Sequence, residues 1–319
     1  MIMSTSRPSR QLVGVLSINY KLENITGLLI RMPVSAQVYK IGGADQYPMT
    51  AVKKYRDVVD GKEVEVEVEV PYIPGSSLKG RMRSLVEEFM GSKLYSTDGK
   101  IWMHARYYGQ RDYNMNAQEL VDDIRNRCVI DEVFGSPAIH ADTLEEIEKN
   151  LKIQPHSLYT LLAQTRLLVD DIFPDIEYVK KLSDNWSRIL SIADFLEEKS
   201  ENRLDRVTAA ADPRTVVRVK PHTVFNGYMK LLIFDIDKGL VKRNIDIMFK
   251  AMKLVEETYL GGSGSRGYGR VVFKDLVLKL LMTKDGVLRE EVVGRYTGVN
   301  EVLGKVEEIS KLIEDRLFK

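Results

Sequence analysis

One cysteine in 319 residues, Cys128, leaves no intramolecular disulfide and no metal site built from several thiolates. Histidine is almost as scarce. His104, His140, His156 and His222 follow no ligand spacing, so ordinary surface or core roles are expected for all four. No apolar run approaches the roughly 18–20 residues of a membrane-crossing helix. The opening "MIMSTSRPSR" is polar and lacks the apolar stretch of a secretion signal. Together these absences predict a soluble, cytoplasmic protein with no membrane partner. Excess charge of either sign is missing too, with 47 Lys and Arg against 46 Asp and Glu.

What is present is unevenly spread. Residues 116–201 hold 18 acidic and 9 basic side chains, a balance of −9, which leaves +10 to the rest. A basic framework with an acidic insertion suits a protein that binds a polyanion through the framework, although soluble proteins carry such asymmetry without that function as well. At 44% hydrophobic the chain can bury one large core or two ordinary ones.

The stretch from Gln11 to Gly27 reads as a long strand. Asp60-Gly61 is a hairpin turn, followed by Val64, Val66, Val68 and Val70 on one strand face with glutamates on the other. That alternation predicts a solvated strand face rather than a carboxylate array for a metal. In "PGSSLKGRMRSLVEEFMG", Pro74-Gly75 ends a strand. Ser76 or Ser77 caps a helix whose apolar face is Leu78, Met82, Leu85, Val86 and Phe89. Residues 116–201 are mostly helical by pattern. An extended basic segment punctuated by Pro213 and Pro221 follows, then a strand over 228–236, a helix over 244–260, a glycine loop, and a strand from Tyr268. An amphipathic helix over 300–318 ends the chain. The order is compatible with a ferredoxin-like α+β sheet with helices on one face.

The loop "GGSGSRGYG" has five glycines in nine residues, Gly261 to Gly269. Phosphate-binding glycine loops follow a strand and open a helix. Here the order is helix, loop, strand, the helix dipole presents its negative end, and the GxxxxGK[ST] spacing fails. The expected roles are therefore a loop lying against a nucleic-acid backbone, with Arg266 and Arg270 supplying charge, or a flexible hairpin tip. Lys79, Arg81 and Arg83, on the helix that begins at Ser76, form a second basic element. Residues 203–220, with five basic and two acidic side chains, form a third. Such groups position RNA without reading its sequence.

With these residues in view, "YIPGSSLKGRMRSLVEEF", "DRVTAAADPR" and "EETYLGGSGSRGYGRVVF" resemble the RAMP superfamily, and within it the backbone subunits of Csm-type (type III) CRISPR effector complexes. The resemblance covers roughly 12–91 and 204–278. It implies an RRM-like (ferredoxin-like) core over 11–95 and 203–280, interrupted by a helical acidic insertion (lid) over 96–202 and followed by an extension over 281–319. It also implies a thumb β-hairpin near 206–225. Expected partners are a CRISPR guide RNA, target RNA, further copies of the chain and other effector subunits.

The resemblance assigns guide binding to Ser76, Ser77, Lys79, Arg81, Arg83, Arg206, Arg214, Gly261, Gly262, Ser263, Gly264, Ser265, Arg266 and Gly267. It places the family's cleaving carboxylate at Asp45 in "IGGADQYP", holding a divalent cation, magnesium. One extra residue separates Asp45 from Pro48, and Leu29 stands where the family carries a histidine. The expected activity is metal-dependent endonucleolytic cleavage of paired target RNA. The alternatives are a non-cleaving scaffold subunit and, more distantly, a nucleotide-binding enzyme.

Overall fold

The apolar stretch after Gln11 becomes β1 (Leu12–Asn24), the centre of the molecule. In the computed structural model, which describes residues 10–33, 46–96, 99–104, 117–284 and 286–318, its Leu16, Ile18, Tyr20 and Leu22 are buried while Asn19, Lys21 and Glu23 between them stay partly exposed. This is the period-two pattern of a half-buried strand. β1 is followed by the hairpin β2 (Thr50–Val59) and β3 (Lys62–Pro71), α1 (Gly75–Phe89), α2 (Ala117–Arg125), α3 (Val129–Phe134) and α4 (Ala141–Asn150). Then come β4 (Leu167–Val169), β5 (Phe173–Pro174), α5 (Ile176–Leu182), the hairpin β6 (Leu196–Leu204) and β7 (Ala211–Val219), and β8 (Val224–Phe234). The last elements are α6 (Val241–Glu257), β9 (Val271–Lys284), β10 (Val287–Gly298), α7 (Val299–Gly304) and α8 (Val306–Leu317).

β1 pairs antiparallel with β8 on one side, Ile18 opposite Met229, and with β9 on the other, Ile18 opposite Leu278. The sheet runs β10-β9-β1-β8-β4, with β5 also on β8. Against the buried face of β1 lie Leu78, Met82 and Val86 of α1 and Ile245, Met248, Phe249 and Met252 of α6. The fold is thus mixed α+β, an antiparallel sheet with two helices sharing its core and two hairpins projecting from it.

The β2–β3 turn is the expected one. Asp60 (φ 50°) and Gly61 (φ 76°) are both left-handed, as a two-residue hairpin loop of this type requires. The glutamate face of β3 is engaged across the hairpin: Lys54 pairs with Glu67 at 2.7 Å, Arg56 with Glu65 at 2.7 Å, and Thr50 donates to Glu69 at 2.8 Å. The hairpin is fastened to the body through Tyr55, whose hydroxyl donates to the Pro174 carbonyl at 3.0 Å. Asp57 accepts from Lys180 Nζ and from the Trp186 indole, each at 2.8 Å.

Four features differ from expectation. α1 starts at Gly75, and neither Ser76 nor Ser77 caps it; its first N–H donates to Asp171 Oδ1 at 2.8 Å, 96 residues further along. A helix N-terminus needs an acceptor, and here the tertiary structure supplies it. Phe89, expected on the apolar face, is 67% exposed at the helix end.

The stretch expected to be helical holds α2, α3 and α4, and a small core of Leu120, Val121, Ile124, Leu144, Ile147 and Leu158 forms there. From Leu167, however, the chain returns to the sheet as β4 and β5, and by Leu196 it is already the first strand of the β6–β7 hairpin. That hairpin spans 196–219, and its continuation is the core strand β8 rather than more hairpin.

The C-terminal segment adds an edge strand, β10. Its helix is broken at Lys305 into α7 and α8, which bury Val302, Val306, Ile309 and Ile313 and tie back to α6 through a Lys242–Glu307 ion pair.

A buried ionic cluster joins the helical segment to the sheet. Arg166, 2% exposed, donates to Asp237 at 3.0 Å, and Arg127 reaches the same Asp237 oxygen at 2.9 Å. Arg127 and Arg243 both hold Glu132 of α3.

Candidate nucleic-acid interface

The glycine loop leaves α6 and enters β9, the expected helix–loop–strand order. It is pinned, which removes the flexible-tip alternative. Gly262 N–H donates to the Leu29 carbonyl (2.8 Å), Gly269 N–H to the Gly27 carbonyl (3.0 Å), and Leu260 N–H to the Gly269 carbonyl (2.8 Å). Two glycines are required by close approach. A Cβ on Gly264 would lie 2.1 Å from the Tyr259 ring, and one on Gly269, at φ 72°, would lie 2.0 Å from the Leu260 carbonyl oxygen. Gly261, Ser263 and Gly267 also turn through the left-handed region. Gly264, Ser265 and Arg266 form a single 3₁₀ turn, and Arg266 donates to Ser263 Oγ at 2.9 Å.

The basic residues of α1 are placed differently from one another. Arg81 stacks on the Tyr259 ring at 4.3 Å and donates to the Tyr259 carbonyl at 3.0 Å, so it buttresses the glycine loop from beneath. Arg83 donates to Glu87 (2.6 Å), the Gly135 carbonyl (2.7 Å) and the His104 carbonyl (2.5 Å). Lys79 donates to the Leu167 carbonyl at 2.8 Å, and burial first, then the Arg83 charge, hold its pKa below the usual lysine range. Ser76 is exposed in the first turn of α1 and Ser77 is half-buried.

Beside the glycine loop, the β6–β7 hairpin forms a groove of about 530 Å³ lined by Glu201, Asn202, Arg203, Leu204, Arg206, Arg214 and Arg266. It brings together three arginines singled out in the sequence. Arg203 pairs with Asp212 at 2.8 Å. The side chains of Arg206 and Arg214 make no hydrogen bond or ion pair with the described residues.

Tyr268 is buried with Leu29 and Val216. Lys199 Nζ lies 4.5 Å from its ring centroid and the Arg218 guanidinium 4.7 Å. Its hydroxyl donates to Glu201 Oε1 at 2.7 Å. Burial, then the Glu201 carboxylate, push the tyrosine up to about 12. The Tyr268 hydrogen bond, ahead of the Arg266 and Lys199 charges, holds Glu201 below the usual carboxylate range. Lys199 and Glu201 were not singled out in the sequence, because their strand β6 carries charge on both faces and offers no apolar register to locate it.

Asp45 lies outside the described residues. Its neighbour Gln46 is bridged to Val216 of β7, and the Gln46 carbonyl accepts from Val217 N–H at 3.1 Å. Leu29, at the family's histidine position, is wholly buried packing.

A separate group of possible metal ligands forms where the sequence showed no spacing. The donor atoms of His104, Asp123, Cys128 and Asp131 lie within 4.8 Å of one another. His104 Nδ1 lies 2.8 Å from the Lys93 carbonyl, and its Nε2 lies 3.4 Å from Cys128 Sγ and 3.7 Å from Asp123 Oδ2. One imidazole, one thiol and two carboxylates make a donor set suited to zinc more than to magnesium. Asp123, Cys128 and Asp131 lie within nine residues where one helix ends and the next begins, and His104 is brought to them by the fold.

The family model of the RAMP superfamily matches residues 39–272. The chain is 30% identical over 254 residues to "CRISPR system Cms endoribonuclease Csm3" of Methanothermobacter thermautotrophicus, covering 80% of this chain and 81% of that protein. It is 27% identical over 237 residues to the protein of the same name from Streptococcus thermophilus, covering 74% and 81%. The crystal structure of Csm3 from Methanopyrus kandleri is similar in fold, with a TM-score of 0.51 at 17% identity, covering 94% of this chain and 98% of that one.

Proposed function

Because this chain belongs to the RAMP superfamily and is a Csm3-like endoribonuclease backbone subunit of type III CRISPR effector complexes, we propose that it holds CRISPR guide RNA along the glycine loop and the β6–β7 hairpin, and cleaves target RNA paired to that guide. The observation that carries the reading is the arginine-lined groove, where Arg206, Arg214 and Arg266 converge beside a loop bare of side chains. Ser76, Ser77, Gly261, Gly262, Ser263, Gly264, Ser265 and Gly267 complete the backbone-holding surface in this reading, with Arg81 supporting the glycine loop and Lys79 and Arg83 contributing positive charge along α1.

The strand order β9-β1-β8-β4, with α1 and α6 between successive pairs in the chain, supports a ferredoxin-like, RRM-like core. The β6–β7 hairpin is then the thumb, and α2–α4 the helical part of the lid. Further copies of the chain stack along one guide in the cytoplasm, beside other effector subunits.

Cleavage is assigned to Asp45. The 2′-hydroxyl of the target gives up its proton and attacks the adjacent phosphorus, the bond to the 5′-oxygen breaks, and that oxygen takes up a proton. The products are a 2′,3′-cyclic phosphate and a 5′-hydroxyl. Asp45 would hold magnesium, whose charge stabilises the phosphorane-like transition state. Asp45→Asn in the assembled complex should leave guide and target binding nearly unchanged and slow cleavage about a hundredfold, roughly 2.7 kcal/mol of barrier. Gel analysis of end-labelled target should show regularly spaced products with cyclic ends. An Asn variant that cuts at the parent rate removes Asp45 from the chemistry. A parent complex that binds target but does not cut with magnesium present establishes the non-cleaving scaffold instead.

A further inference from the structure

The arginine groove contains one group that a phosphate site has no use for. Glu201 lines it among Arg203, Arg206, Arg214 and Arg266, and an ionised carboxylate there repels a phosphate. Nor is it a loose surface acid. The Tyr268 hydroxyl fixes Oε1 at 2.7 Å, and the tyrosine ring is itself buried and packed against Lys199 and Arg218. The other oxygen, Oε2, has Arg266 Nη1 at 3.8 Å, beyond hydrogen-bonding distance, and accepts no hydrogen bond among the described residues. The groove therefore presents a rigid, ionised acceptor with lone pairs to spare, surrounded by cations.

A nucleic-acid backbone offers phosphates to the arginines, and in RNA it offers a single hydrogen-bond donor as well, the ribose 2′-hydroxyl. We propose that Glu201, positioned by Tyr268, accepts that hydrogen bond from a nucleotide whose phosphate lies among the four arginines, and is the residue by which this groove prefers RNA to DNA. The inference rests on the reading of the groove as RNA-binding given above. It assigns opposite tasks to the two charges: the arginines hold either nucleic acid, and the carboxylate penalises whichever lacks a donor to satisfy it. A deoxyribose leaves the carboxylate's Oε2 desolvated with no donor, so discrimination comes from the cost of the wrong ligand as much as from the contact with the right one.

The test uses the full chain and single-stranded uridine-only oligonucleotides in three forms: RNA, 2′-deoxy and 2′-O-methyl. Fluorescence anisotropy at fixed salt should give RNA an advantage of about tenfold over both others, the scale of a hydrogen bond to a charged acceptor. Glu201→Ala should collapse that ratio to within about twofold while retaining binding, because the arginines remain. Tyr268→Phe keeps the buried ring, frees the carboxylate and should lower the ratio part of the way. Thermal melts of both variants establish that the hairpin is intact.

The proposal is overturned if Glu201→Ala weakens RNA and DNA equally, which would make the residue a structural brace. It is overturned if 2′-O-methyl RNA binds as well as RNA. It is overturned if the variant leaves the RNA-to-DNA ratio intact and changes only the preference among homopolymers, which would mean the carboxylate reads a base. If the unmodified chain binds none of the three, the RNA-binding reading of the groove falls first, and this inference with it.

Discussion

At the scale of single residues, identity is often dictated by a neighbour distant in sequence. Gly264 is glycine because the Tyr259 ring occupies the space of its Cβ. Gly264→Ala should destabilise the chain by about 1–3 kcal/mol, the usual cost of overpacking. Gly80 is the control: it sits in α1 with no atom within 4 Å of an added Cβ, and Gly80→Ala should stabilise by about 0.5–1 kcal/mol. Urea unfolding of both variants measures the contrast.

Asp57 gives a pH signature. Lys180 first, then the Trp186 indole, hold its carboxyl at about 2. A depressed carboxylate stabilises the fold above its unfolded pKa, about 3.9, and that contribution is lost as the pH falls toward 2. Denaturation midpoints should therefore drop more steeply between about pH 4 and pH 2 in the parent than in Asp57→Asn. The five glycines were visible in the sequence as a demand on backbone, but which of them answer to packing was not, since Tyr259 and Leu260 impose that only in three dimensions. The α1 cap shows the same limit: two serines stand where a cap belongs, and Asp171 performs the task.

At the scale of elements, legibility followed apolar period. β1, the β2–β3 hairpin, α1 and α6 carry it and lie close to where their patterns put them. β4 and β5, three and two residues long, are too short to carry any, and β6 alternates polar residues on both faces because its hairpin stands mostly in solvent. The candidate site was half readable for the same reason: arginines near prolines and glycines stood out, whereas Glu201 and Lys199 looked like the end of an acidic insertion.

The elements also divide the basic residues by task. Replacing Arg206, Arg214 and Arg266 together with alanine should reduce the slope of log affinity for single-stranded RNA against log salt by about 2, at roughly 0.7 per phosphate contact. Arg83→Ala should instead lower the melting temperature, since its guanidinium satisfies the Gly135 and His104 carbonyls and Glu87. Filter binding over a salt series separates the two behaviours.

At the scale of the whole molecule, the helical segment is fastened to the sheet by charge as much as by apolar packing. Arg166, Arg127 and Arg243 share Glu132 and Asp237, with the Arg166–Asp237 pair almost wholly buried. Arg166→Met removes one cation and leaves Asp237 short of a partner; the expected loss is about 3–5 kcal/mol, read by chemical denaturation. Composition pointed to an acidic insertion on a basic framework, and the acidic bias is real. Part of it, however, is internal cement rather than surface, which no count of charges along a chain distinguishes.

The central strand has a consequence for how the protein is made. β1 ends at Asn24, yet both of its partners, β8 and β9, begin only at Val224 and Val271. A ribosome therefore releases the middle of the sheet first and its two flanks last. Through most of synthesis Leu16, Ile18, Tyr20 and Leu22 have no strand beside them, and both edges of β1 are open to any passing extended segment. Pairings across more than 200 residues also place the chain among slow folders. Nascent chains arrested before Val224 should cling to chaperones, and release should come abruptly once β9 has emerged.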